Sequence, residues 1–156
     1  MNELKSELEI VKTICLKLLA LREHSRQELV RKLSAKGYAQ EFIKPVLDEL
    51  ATERWQSDQR YADSYARQRS QKGFGYTRIN YELKQRGISN ESVNRFKEEL
   101  QANECEVLRQ LYLKKYSDEP IIDRREWAKR FRFLLHRGFS ADTINTLLRE
   151  LQIKFK

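Results

Sequence analysis

The chain has 156 residues, 35 % of them charged and 40 % apolar, with only five Gly and two Pro, which suits one helical, highly solvated protein. A net charge of +8 and a pI near 9.5 favour acidic partners: nucleic acid, an anionic membrane surface or an acidic protein. The charged start, Met1 to Glu7, does not read as a signal peptide, and the most apolar run, Ile14 to Leu21, is broken by Lys17 and too short to span a bilayer.

The first predicted element is a helix over residues 8–21, with Leu8, Val11, Cys15, Leu18 and Leu19 on one face at a period of 3.6. Ser25 and Glu28 then have the spacing of a capping box and open a helix over 26–36. Gly37 closes it, because the residue at a helix exit is left-handed and Gly adopts that conformation at least cost. Tyr38 packs back, and a third helix covers 39–53, where Pro45 predicts a late start or a kink. The next helix, over 58–71, carries Tyr61, Ala62, Tyr65 and Ala66 on one face. After Gly73-Phe74-Gly75 come a helix over 76–86, the exit Gly87, the apolar Ile88 and a helix over 89–101 capped by Ser89. A helix over 105–116 follows, with Leu108, Leu111 and Tyr112, then the linker Ser117-Asp118-Glu119-Pro120. Asp123 and Glu126 repeat the capping-box spacing ahead of a helix ending at Arg137, and Gly138, Phe139 and Ser140 lead into a last helix over 140–152.

This order is a repeat. An offset of 50 residues puts Leu29 on Ile79, Leu33 on Leu83, Gly37 on Gly87, Ile43 on Val93, Val46 on Phe96 and Leu50 on Leu100. An offset of 51 puts Leu83 on Leu134, Gly87 on Gly138, Val93 on Ile144, Phe96 on Leu147 and Leu100 on Leu151. One position fails, Ile79 against Arg130, which predicts a rotated or shifted helix in the third copy. No stretch alternates with period two for long enough to make a sheet. The expectation is an all-α chain of nine helices in three tandem three-helix repeats, residues 1–54, 55–102 and 103–156, forming an elongated, curved molecule.

Charge is segregated between the helices. The helix after each corner is net acidic: residues 39–53 carry one Lys against four acids. That argues against a helix-turn-helix reading, in which this helix meets DNA phosphates. The middle helices are basic: residues 26–36 and 126–137 each carry four basic residues against one acid, and residues 60–97 carry nine against three. Lys36, Arg86 and Arg137 fit helix C-termini, where cations offset the dipole, whereas Arg67, Arg69 and Arg78 do not. Phe74, Tyr76 and Tyr81 beside the glycines read as core before they read as stacking platforms. Cys15 and Cys105 lie on apolar stripes and are expected to be buried thiols in a reducing cytoplasm. His24 and His136 stand singly, and no phosphate-cradling loop or nucleophile–base set is present, so an enzyme, a metal and a cofactor are not expected.

Several ordered motifs carry a resemblance. Residues Ala20-Leu21-Arg22-Glu23-His24-Ser25 with Glu28, Leu29, Lys32 and Leu33 resemble the opening motif of the bacterial RecX regulatory proteins. Asp58, Arg60, Tyr61, Tyr65, Arg69 and Lys72-Gly73-Phe74-Gly75, followed by Arg78-Ile79, Glu82-Leu83 and Gly87-Ile88, are similar to the family's central motif. Lys115-Tyr116 and Arg132-Phe133-Leu134-Leu135 with Arg137-Gly138-Phe139 match its third, so the resemblance runs from about Leu18 to Leu151. Tyr76 stands where the family usually has Pro, Gln56 where Leu is usual, and Arg54-Trp55 in place of Gly-Tyr.

The resemblance implies an all-helical regulator made of tandem three-helix repeats, and the cysteines and missing catalytic motifs add the expectation of a cytoplasmic protein that acts by binding. It would bind RecA along its filament on single-stranded DNA and inhibit RecA's ATP hydrolysis, strand exchange and coprotease activity, in recombination and the SOS response. Family members also bind DNA, which the basic surface fits; no membrane partner is expected, and the expected state is a monomer. The contact surface expected from the charge map is Arg22, Arg26, Arg31 and Lys32 in the first unit. The second unit adds Arg67, Arg69, Lys72, Arg78, Lys84 and Arg86, and the third Lys129, Arg130 and Arg132. Reversing the charge at Arg67 and Arg69 should weaken filament binding and leave helical content intact. The alternative is a general DNA-binding helical-repeat protein with no RecA target.

Overall fold

The computed structural model describes residues 2–151, with side chains from Ser6 onward; Gln152, the expected end of the last helix, lies outside the described residues. It contains α1 (Asn2–Leu21), α2 (Arg26–Ala35), α3 (Gln40–Thr52), α4 (Asp58–Gln71), α5 (Tyr76–Gln85), α6 (Asn90–Tyr116), α7 (Arg124–His136) and α8 (Ala141–Glu150). Among the described residues every element is helical, and no helix is long and apolar enough to cross a membrane.

Among the described residues eight helices stand where nine were expected. The third helix of the second unit and the leading helix of the third are one 27-residue helix, α6. Nothing between Asn90 and Tyr116 breaks it: the stretch has no Gly and no Pro, and strong helix formers fill its middle. Its buried stripe follows Leu108, Tyr112 and Tyr116 at intervals of four, with Glu104 and Leu100 half-buried on the same line. Cys105 sits one position off that line and is exposed, contrary to expectation, whereas Cys15 is in the core.

Three cores follow one another along the chain. The first gathers Val11, Cys15, Leu29, Leu33, Ile43, Val46, Leu47 and Leu50. The second gathers Tyr61, Ala62, Ala66, Ile79, Leu83, Ile88, Val93 and Phe96, and the third Leu108, Tyr112, Tyr116, Leu134, Phe139, Ile144 and Leu147. The apolar positions that superpose under the repeat offset therefore occupy equivalent core sites. Ser25 closes a full capping box with Glu28, and Ser57, Ser89, Asp123 and Ser140 each accept from the third residue of the helix they precede. α3 begins at Gln40 and runs through Pro45 rather than starting after it.

Each corner is built alike. Gly37, Gly87 and Gly138 have φ of 94°, 81° and 99°, and the next residue donates back to the helix: Tyr38 to Leu33 O, Ile88 to Leu83 O and Phe139 to Leu134 O. After α3 the same corner is made without glycine. Arg54 stands at φ 66°, and Trp55 N donates to Leu50 O at 2.9 Å. An L-residue there costs about 1 kcal/mol. Arg54→Gly is therefore expected to raise stability by only about 0.5 kcal/mol, because relief of the backbone strain is partly offset by the looser unfolded chain that Gly brings. A urea titration read by circular dichroism checks this; a lower midpoint would show that the arginine side chain contributes more than its backbone costs.

Candidate functional site

The cations predicted from sequence divide into those that hold the repeats together and those that face outward. At the junction of the first two units, Asp58 Oδ1 accepts from the Arg26 amide at 2.8 Å, so the start of α4 caps the start of α2. Gln56, 4 % exposed, donates to Asp58 Oδ1 and to His24 O, which explains an amide where an apolar residue would leave both acceptors short of a donor. Arg60 pairs with Glu23 at 2.9 Å across the same junction. Arg22 pairs with Glu28, and Arg86 donates to Tyr61 OH at 3.0 Å with its guanidinium 4.6 Å over the Tyr65 ring. Arg22 and Arg86 thus meet around one small cavity rather than lying on separate faces.

His24 is 1 % exposed beside them. Lys32 Nζ lies 3.1 Å from Nε2, so Nε2 accepts, and Nδ1 carries the hydrogen and donates to Arg22 O at 3.0 Å. Burial lowers its pKa; the Arg22 carbonyl opposes that, the Arg22 and Lys32 charges add to it, and Glu28 opposes it. The folded state thus holds the ring neutral where the unfolded chain would protonate it. Stability is fully present above the ordinary histidine pKa and declines as pH falls below it. The thermal midpoint is expected to drop between pH 7 and pH 5.5, and to drop less in His24→Gln; equal slopes would reject the assignment.

At the junction of the second and third units the Gly73-Phe74-Gly75 corner docks on Arg137-Gly138. Gly75 N donates to Arg137 O at 2.8 Å and Thr77 N to Gly138 O at 3.2 Å. Arg137 Nη1 reaches Lys72 O, and Arg78 Nη1 reaches His136 O at 3.1 Å. The Arg69 and Arg137 guanidinium carbons stand 3.7 and 4.3 Å from the Phe74 ring centre. Glu82 binds the cluster: it accepts from Tyr65 OH at 2.8 Å and pairs with Arg69 at 3.0 Å and Arg78 at 3.7 Å. The N-terminus of α5 has no side-chain cap of its own; Glu104 of α6 accepts from the Tyr76 amide at 3.3 Å, and burial raises its carboxyl pKa against that bond. Tyr76, unlike a Pro, keeps the N–H that this bond uses.

Arg130, expected on the contact surface, is in the third core instead. It is 4 % exposed, pairs with Glu126 at 2.9 Å and donates to Tyr112 OH, Glu119 O and Pro120 O. A buried guanidinium needs these partners, and they tie the 117–121 loop to α7. Arg31, Arg67, Lys72, Lys84, Lys129 and Arg132 are exposed. Sequence reasoning missed three residues. Lys114 and Lys115 end α6, and Arg137, read as an ordinary helix-terminal cation, faces Lys72; all three line a cleft of about 690 Å³ with Lys72. Among the described residues no group of three or more His, Cys, Asp or Glu could hold a metal ion.

Three family models match in chain order: the first three-helix domain of RecX over residues 12–50, the second over 57–95 and the third over 102–148. The chain belongs to the RecX family. A regulatory protein RecX of Pseudomonas putida is 40 % identical over 138 residues, 88 % of each chain. One of Pseudomonas fluorescens is 38 % identical over 148 residues, 95 % of this chain and 96 % of that one. The crystal structure of RecX from Lactobacillus salivarius has the same fold, with a TM-score of 0.76 at 23 % identity over 96 % of this chain and 99 % of that one. A second RecX crystal structure reaches 0.81 at 23 % identity, over 94 % and 74 %. The three RecX domains are thus the three cores described above, and the second and third share α6.

Proposed function

We propose that this RecX-family chain binds RecA filaments on single-stranded DNA and inhibits RecA's ATP hydrolysis, strand exchange and coprotease activity, and so restrains recombination and the SOS response. It acts as a monomer in the cytoplasm by binding alone. The repeats are 1–54, 55–102 and 103–156, the last two joined within α6. The observation that carries the reading is the match of all three RecX domains, in order, to a chain that carries exposed cations on α2, α4–α5 and α7 among other helices. Arg31, Arg67, Lys72, Lys84, Lys129 and Arg132 are the outward part of the docking surface, meeting phosphates or RecA carboxylates. Arg69 and Arg78 face Glu82, and their part in docking is indirect.

The test is RecA's DNA-dependent ATPase on single-stranded DNA at fixed, moderate salt, with this protein titrated in. Inhibition well below one copy per RecA supports the filament reading. Inhibition only when the protein coats the DNA supports the alternative of a DNA binder with no RecA target. Arg67→Glu is the cleaner charge reversal, because Arg69 is held by Glu82. It is expected to weaken filament binding about fivefold with helical content unchanged; unaltered binding would remove Arg67 from the surface.

A further inference from the structure

The three units stack through one repeated joint. The corner that ends the middle helix of one unit seats on the start of the middle helix of the unit before it. Gly138, between α7 and α8, seats on the start of α5, where the amides of Gly75 and Thr77 donate to Arg137 O at 2.8 Å and Gly138 O at 3.2 Å. Gly87, between α5 and α6, seats on the start of α2, where a carbon added to it would run into the Gln27 side chain. Each corner is thus a plug and each middle-helix start a socket. The chain has three of each and uses two.

A plug is left over at one end and a socket at the other. The plug is Lys36-Gly37-Tyr38. Gly37 has the φ of its equivalents, yet a carbon added there would meet nothing within 4 Å. Among the described residues no backbone amide donates to Lys36 O or Gly37 O, the counterparts of the two carbonyls that α5 engages. Tyr38 is half-buried, whereas Ile88 and Phe139 at the used corners are 4 % and 2 % exposed. The socket is the start of α7. Asp123 accepts from the Glu126 amide, and helix geometry leaves the Arg124 and Arg125 amides without an acceptor inside the helix. The residue before this cap is Ile122, 64 % exposed. One exposed isoleucine is ordinary, but its counterparts before Ser25 and Gly75 are both covered: His24 is 1 % exposed, and Phe74 lies under the Arg137 guanidinium.

The two free ends match. Lys36 caps its helix at the place that Arg86 and Arg137 hold in the other units. Docking therefore lays its apolar stem on Ile122, as Arg137 lies on Phe74, and carries its ammonium to Asp118, Glu119 and Asp123, all exposed. Farther along the joint both signs reverse, with Glu41 on the plug side and Arg124 and Arg125 on the socket side. A second copy of the chain supplies the missing half of each joint.

We infer that the Lys36-Gly37-Tyr38 corner of one copy seats on the start of α7 in the next, so that copies join head to tail and continue the stack. Such a contact uses two different surfaces, so it does not close as a two-fold dimer does and extends in one direction. One corner on one helix end is small beside the roughly 1,200 Å² at the low end of a stable interface. Free chains are therefore monomers, and copies string together only where they are crowded along a common track. There each bound copy offers the next a foothold, which makes binding cooperative and directional.

The test is sedimentation equilibrium of the whole chain, in reductant because Cys105 is exposed, at concentrations up to about 1 mM, where contacts of this size act. The mean mass is expected to rise with concentration and to pass two copies without a plateau. Lys36→Glu and Ile122→Glu, both at exposed positions, are each expected to weaken association about tenfold or more. Lys84→Glu, at an exposed position between the two ends and with the same charge change as the first, is expected to weaken it less than about twofold. Mixing the two end variants separates this joint from any other. Lys36→Glu keeps its socket and Ile122→Glu keeps its plug, so the mixture is expected to form pairs and nothing larger. A chain that stays monomeric at about 1 mM would overturn the head-to-tail contact and leave the corner to a different protein. So would a plateau at two copies, a loss as great in Lys84→Glu, or a mixture no more associated than either variant alone. None of these results bears on the RecA reading, which the ATPase assay tests by itself.

Discussion

Alanine at position 75 is expected to lower stability by about 2–3 kcal/mol, although nothing about the backbone there demands glycine. Gly75 has φ −91°, which any residue adopts. A Cβ would sit 2.5 Å from Gly138 O and 2.6 Å from its carbonyl carbon, both backbone atoms that cannot rotate away. The corner must lift, and the Gly75 to Arg137 and Thr77 to Gly138 bonds go with it. Gly138→Ala is expected to cost about 2–4 kcal/mol, because its φ of 99° adds a conformational penalty and its Cβ would lie 2.6 Å from the Arg78 amide. Gly37→Ala is the comparison: the same corner at φ 94°, with nothing within 4 Å of the added carbon, so only the backbone term of about 1 kcal/mol remains. Urea unfolding followed by tryptophan fluorescence and by circular dichroism would rank the three. A Gly75→Ala protein within about 0.5 kcal/mol of the parent would mean that the corner and α7 are not docked as described.

The second large effect is at Arg130. Arg130→Ala is expected to cost about 3 kcal/mol, the lower end for breaking a buried pair, because Glu126 keeps some solvent access. The cost has several parts: Tyr112 OH and two loop carbonyls lose a donor, a carboxylate loses its partner, and a cavity opens below Tyr116, which lies 4.5 Å from the guanidinium. Arg125→Ala, at an exposed position on the same helix, should stay within about 0.5 kcal/mol. Denaturant titration of both variants checks this. A residue used only for docking would give the reverse result, with stability unchanged and filament binding lost.

Much of the fold was legible because the repeat carries its own punctuation. Gly37, Gly87 and Gly138 exit helices at positive φ, and Ser89 and Ser140 cap the helices that follow. The failed register at Arg130 carries a true signal, of a different side chain at the same buried position and not of the rotated or shifted helix it predicts. Leu29 and Ile79 fill this position with apolar side chains, whereas the third unit puts a guanidinium there and surrounds it with Glu126, Tyr112 and loop carbonyls. The continuity of α6 was also available, in the absence of any breaker between Asn90 and Tyr116, but the repeat pattern argued for a gap. The site was less legible. Arg69, Arg78 and Arg137 look like free surface charge in a linear sequence, and their partners lie up to 65 residues away. Lys114 and Lys115 gain meaning only when α4 and α7 close over the end of α6.

The shared helix α6 has a phase as well as a length. Its 27 residues make a rod of about 40 Å, and each residue added to it would turn everything beyond by about 100° and advance it by about 1.5 Å. Gly138 would then no longer face Gly75, and Glu104 would no longer face the Tyr76 amide. A single inserted or deleted codon within 101–103 would therefore disconnect the second unit from the third while leaving the residues of each core in place. The same change in the exposed loop at 117–119 would turn nothing.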